Sequence, residues 1–312
     1  MPRTRTLTRG LLVAALPAAL TAGLLVAPAT ADPRYPDTVA LETGSRPEGI
    51  AAGPRDTFFA GARSDGAVYV GNAKNGQLRT FVPGRQGEIA GGMRYDAATA
   101  RLWVAGGTTG DVTAYDARSG RALFTATVPG TRFLNDVAVT SEAVYVTDSR
   151  SNQLVRIPTP DRALPAPGTF ELLTTTIPAP APGAFGPNGI RVLPTGDLVV
   201  VSGGDLYAVD PASGAAEGIA ELGRELTAGD GLVLDGRTLY VVYGFDRRDS
   251  VVEVEFDAAF TSVTFVRELT ADGLDRPTTG ALVAGALYVV NGRFGTLETQ
   301  PDAPVYVSRL EL

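Results

Sequence analysis

Glu48, Asn135, Asn188 and Asp230 carry the side chains in this sequence best suited to hold a cation or work on a substrate. Each stands at the start of a short apolar run, in PEGI (47–50), LNDV (134–137), PNGI (187–190) and GDGL (229–232). Two carboxylates and two amides supply oxygen ligands with a combined charge of −2. That set suits one hard divalent cation, Ca²⁺ first and Mg²⁺ or Mn²⁺ behind it. The chain has no cysteine and no histidine. Those two absences remove disulfides, thiolate nucleophiles, Ser-His-Asp triads and imidazole-bound zinc. Chemistry here must run on carboxylates, amides, Arg, Tyr or an oxygen-held metal, and no organic cofactor motif is present.

Residues so far apart in sequence can share a site only if the fold brings them to one axis. GAVYVG (66–71), RLWVAG (101–106), AVYVTD (143–148), DLVVVS (197–202), TLYVVYG (238–244) and ALYVVN (286–291) read as six versions of one strand. Each follows a segment that begins with one residue, then usually Gly, then an apolar residue. Aligned on that formula, the six leading residues are Glu48, Gly91, Asn135, Asn188, Asp230 and Thr279. A repeat of roughly 40–50 residues with about four short strands per unit is the signature of a β-propeller. The expected fold is therefore all-β, a six-bladed propeller of four-stranded blades occupying 32–312 as a single domain. The innermost strands line the channel, and the six leading residues form a ring at one mouth.

The turn motifs NAKNG (72–76), DARSG (116–120) and DPASG (210–214) join third strands to fourth strands, with Asp or Asn opening the turn. Asp235-Gly236 is a plain hairpin turn, unlike Asp230-Gly231. The last unit is one strand short, and TVALET (38–43) is expected to complete it, closing the ring and removing an open edge. Two Pro/Ala-rich segments, 158–170 and 177–187, cannot continue a ladder and read as loops. The second runs into Asn188 and so belongs on the ring face, as a lid or a surface insertion. Asp136 reads as a turn residue, and Trp103 as packing.

At this level the sequence resembles the senescence marker protein-30/gluconolactonase/luciferin-regenerating-enzyme group of six-bladed propellers, through RPEGI, RFLND, GPNGI and AGDGLVLDG over about residues 46–295. The resemblance implies metal ligands at Glu48, Asn188 and Asp230, and substrate contacts from Asn135 and Arg132. In related phosphotriesterase-type propellers, an Asn at the position of Asn135 binds calcium directly. It further implies hydrolysis of a lactone or similar ester, with the cation polarising the carbonyl and Asp230 as the catalytic carboxylate. A non-catalytic binding scaffold and a phosphotriesterase-type hydrolase use the same ring and remain open.

Residues 1–31 read as a secretory signal peptide: three arginines in the first ten residues, an apolar stretch broken by Pro17, and Ala29-Thr30-Ala31 as the cleavage site. The expected location is extracellular. Without those arginines, 24 basic residues face 34 acidic ones, a net charge of −10. Such a surface repels phosphate backbones and anionic lipid, so the expected partner is a small-molecule substrate rather than nucleic acid or membrane. A closed propeller needs no second copy, and a monomer is expected.

Overall fold

A computed structural model describes residues 35–130, 132–224, 226, 229–244 and 248–312. The signal-peptide reading of 1–31 lies outside them. The described chain forms six small antiparallel sheets arranged as a six-bladed β-propeller. Blade 1 runs Pro47–Ala52, Thr57–Ala62, Val68–Asn72 and Leu78–Val82, from the channel outward. Each later blade begins with its own channel strand: Met93–Asp96, Leu134–Val139, Pro187–Val192, Leu232–Asp235 and Pro277–Val283.

The apolar core lies between blades rather than at the axis. Six buried clusters each bridge one neighbouring pair. Leu102 and Met93 pack on Phe59 and Val70 between blades 1 and 2, and Trp103 joins Val144 and Val155 between blades 2 and 3. Tyr288 and Val290 meet Phe58 and Ile50 across the closing pair. A second strand in such a blade is covered on both faces, so it loses the polar alternation of a one-sided sheet. Its sequence becomes a continuous apolar run such as Leu198–Ser202 or Thr238–Tyr243, where every central residue is buried.

That same chemistry explains one misplacement. GAVYVG is not the second strand of blade 1 but supplies the third, Val68–Asn72, and TFFAGA at Thr57–Ala62 is the second. Both strands are buried on two faces, so apolar runs alone do not separate them.

The N-terminal strand Thr38–Ala40 pairs antiparallel with Tyr306–Leu310 and completes blade 6, as the missing strand required. Blade 5 carries a fifth strand: Ala220–Leu222 runs parallel along Ser262–Leu269 as the chain leaves blade 4. The three Asx-opened turns stand where expected. Asp116 Oδ1 accepts the Arg118 and Ser119 amides at 3.0 and 2.8 Å, and Asp210 Oδ1 does the same for Ala212 and Ser213 at 2.9 and 2.7 Å.

Candidate functional site in the channel mouth

The start of each channel strand is where neighbouring blades touch backbone to backbone. The Gly92 amide donates to Asn135 O at 2.8 Å, Gly189 to Asp230 O at 2.9 Å, and Gly231 to Thr278 O at 2.8 Å. Elsewhere a hydroxyl spans the gap: Thr147 Oγ1 reaches Asn188 O at 2.7 Å, and Thr278 Oγ1 reaches Glu48 O at 2.6 Å. This closeness is why glycine follows the leading residue. A Cβ on Gly49 would collide with Gly91 O, and one on Gly231 would collide with the Thr279 side chain. The Asn-Gly and Asp-Gly pairs here are therefore not hairpin turns. Asp235-Gly236 is one, with Gly236 at φ +59° and Asp235 paired with Thr238.

The backbone pattern corrects the sixth ring position. Thr278, not Thr279, presents the carbonyl that the ring requires, and it follows Pro277 as Glu48 follows Pro47 and Asn188 follows Pro187. Alignment on Gly280 misplaced it because this strand's irregularity, between Pro277 and Thr279, is shorter than the Pro47/Ile50 and Pro187/Ile190 irregularities.

Glu48, Asn135, Asn188 and Asp230 all line one cavity of about 520 Å³, together with Arg63, Phe133, Phe185 and Phe294. Glu48 is 8% exposed and Asp230 3%. Burial, joined by charge from Asp136, pushes Glu48 up to about 7 against the pull of Arg63. Burial and then Glu48 push Asp230 well above the usual carboxylate range, against an opposing hydrogen bond from Asn188. The structure thus confines two carboxylates in one desolvated site. Asn135 is oriented by Ser149: its Nδ2 donates to Ser149 Oγ at 3.0 Å, and that hydroxyl passes on to Pro187 O at 2.7 Å. Its amide oxygen is thereby turned away from Ser149.

These groups fit a hard cation. Glu48 Oε2 and Asp230 Oδ2 are buried and have no hydrogen-bond donor. Buried polar atoms are seldom left without partners, and two such carboxylate oxygens beside two amides form the donor set calcium prefers. Among the described residues no three His, Cys, Asp or Glu side chains converge, so a cation held here would need the amides as well as the carboxylates.

Two sequence expectations end elsewhere. Arg132 does not line the cavity: its Nη1 is held by Asp148 Oδ2 and Gln153 Oε1, both at 2.8 Å. Its role is to anchor the segment from which Phe133 enters the cavity. Asp136 is not a turn residue. It is 4% exposed and ion-paired with Arg191 at 2.6 Å, deeper in the channel.

Arg63, Phe133, Phe185 and Phe294 were not singled out from sequence. Arg63 and Phe294 follow the second strands Thr57–Ala62 and Ala286–Asn291, whose ends open on the ring face. Arg63 stacks over the Phe294 ring at 4.2 Å, and its Nε is buried without a partner. Phe294 is fixed by its neighbour Arg293, which reaches Asp275 at 2.9 Å. Phe185, at the end of the second Pro/Ala segment, meets Phe133 edge-on at 5.1 Å and lies under Arg150 at 4.4 Å. That segment does reach the ring face, as its position before Asn188 required.

No family model matches the chain, and no curated protein matches it. Solved structures do. The chain is similar to the major allergen Mala s 1 of Malassezia sympodialis, with a TM-score of 0.67 and 14% identity over 88% of this chain and 96% of that one. A calcium-binding protein, regucalcin, from Agrobacterium tumefaciens gives a TM-score of 0.59 and 15% identity, covering 89% and 95%. Streptogramin B lyase gives 0.58 and 10%, covering 88% and 96%. At these identities the likeness is one of propeller fold.

Proposed function

We propose that this chain is an exported, monomeric, divalent-cation-dependent hydrolase of lactones or related esters. The observation that carries the reading is the pair of buried carboxylate oxygens, on Glu48 and Asp230, left without donors beside two amides in one cavity. Glu48, Asn188 and Asp230 would hold the cation, with Asn135 oriented beside them. Calcium is the first choice for such oxygens, and the regucalcin neighbour is described as calcium-binding. When bound, the cation supplies a Lewis acid for the ester carbonyl and offsets the charge of the two carboxylates.

The remaining steps belong to side chains. Phe133, Phe185 and Phe294 supply apolar walls that suit an uncharged ring or acyl chain and exclude bulk water. The Asp230 carboxylate, partly on the cation and partly free, would accept a proton from the attacking water. It returns that proton to the leaving oxygen as the acyl–oxygen bond breaks. Arg63, beside Glu48 with an unused Nε, faces the negative charge that gathers on the substrate. An acid–base carboxylate suits a chain that has no histidine.

The test is turnover of a panel of lactones, aryl esters and phosphotriesters with calcium present. Lactone or ester hydrolysis should fall at least a hundredfold in Asp230→Asn, with the circular dichroism spectrum unchanged. Hydrolysis of phosphotriesters alone would move the reading to that class. Calcium binding without turnover of any panel member would make the molecule a scaffold.

A further inference from the structure

The channel has a second charged layer that the hydrolase reading does not use. Three positions beyond the ring along the channel strands lie Ala51, Arg94, Ala138, Arg191, Val233 and Ala281. Five of these six, all but Ala138, line a separate cavity of about 190 Å³ with Tyr95. Ile50, Ala52, Leu234, Gly280 and Leu282 complete its walls. Two arginines, Arg94 and Arg191, therefore line one small chamber of mixed polar and apolar walls.

Their partners are few. Arg191 is 4% exposed, and its Nη1 donates to Asp136 Oδ2 at 2.6 Å and to Ile190 O at 2.5 Å. Its Nε is buried with no acceptor. Arg94 is exposed, and its guanidinium makes no hydrogen bond or ion pair among the described residues. Partial desolvation by the channel strands and then the nearby Arg191 pull it down, against the pull of Asp136. Two cations against one carboxylate leave a net charge of +1 beside apolar walls. The buried Arg191 Nε, a donor of a kind seldom left without an acceptor, is the group an added anion would satisfy.

We infer that the lower cavity binds a small oxyanion, a carboxylate or inorganic phosphate, between Arg94 and Arg191. The guanidinium fork presents paired donors that match two oxygens of such a group. Asp136 already satisfies one side of Arg191, so the anion belongs on the Arg94 side. The volume equals roughly six water molecules at about 30 Å³ each. It admits acetate or phosphate and excludes a nucleotide. This site is independent of the cation reading, since it shares no lining residue with the upper cavity.

The experiment is isothermal titration of the intact chain with inorganic phosphate and, separately, with acetate, at fixed ionic strength and without added divalent cations. At least one anion should bind saturably with one site per chain. Arg94→Gln should weaken that binding at least tenfold, and Arg94→Lys, which keeps the charge but not the fork, should fall between. The phosphate and acetate arms identify which oxyanion the site prefers. A thermal scan gives a second readout. Phosphate stabilises proteins generally by exclusion from their surface, so the informative part is a saturable rise present in the wild type and absent in Arg94→Gln. No saturable heat with either anion, or equal binding by wild type and Arg94→Gln, would overturn the inference.

Discussion

At the residue scale, the site is defined by two carboxylates that repel each other in a desolvated place. Glu48 ionises at about 7 rather than near its ordinary 4.5, and Asp230 is displaced in the same direction. Without a cation, the folded chain holds protons that the unfolded chain has released. For Glu48 stability must then fall as pH rises from about 4.5 to 7, and Asp230 adds a loss in the same direction. For Glu48 alone the loss is roughly 3 kcal/mol across that window. Chelator-treated protein should melt at a lower temperature at pH 8 than at pH 5.5, and saturating calcium should shrink or reverse that difference. A flat melting profile without calcium would remove the electrostatic basis of the site. Glu48, Asn188 and Asp230 were legible because each precedes Gly and an apolar run. Asp136 and Arg132 were not, because their meaning depends on Arg191 and Asp148, residues remote in sequence. Arg63 and Phe294 had only a positional signal, the end of a second strand.

At the element scale, the channel strands begin where blade backbones converge, and glycine is required by contact rather than by turn geometry. Gly49→Ala sets a methyl against Gly91 O in a place with no room to relax, and should destabilise by about 1–3 kcal/mol or more. Gly236→Asn is the control. Gly236 sits in an open hairpin with nothing near its Cβ position, and asparagine tolerates positive φ, so its cost should be under about 1 kcal/mol. Denaturant unfolding of both variants distinguishes the two kinds of Gly position. The repeat was legible for the same reason: the contact recurs at most blade junctions and imposes the same residue. Strand order within blade 1 was not, since second and third strands share two-sided burial and so share composition.

At the scale of the whole molecule, stability depends on closing the circle. Thr38–Ala40 joins the last blade at its outer edge, and Leu41 and Val39 are buried against Val307 and Val305. A chain beginning at residue 44 would expose the edge of Tyr306–Leu310, an open template for pairing with other chains. It should lose several degrees of melting temperature and associate in a concentration-dependent way on size exclusion, whereas the full propeller should elute as a monomer. The closing strand was legible from a count: one unit lacked a strand and TVALET had no other use.

Calcium titration tests the proposed shared cation site most directly. Calorimetry on the wild-type chain should give one calcium bound in the channel mouth, with affinity weakened at least tenfold in Glu48→Gln and in Asp230→Asn while both remain folded. An unchanged affinity in these variants, or no calcium bound by the wild type at millimolar concentration, would contradict a cation held between two remote carboxylates brought together by the ring.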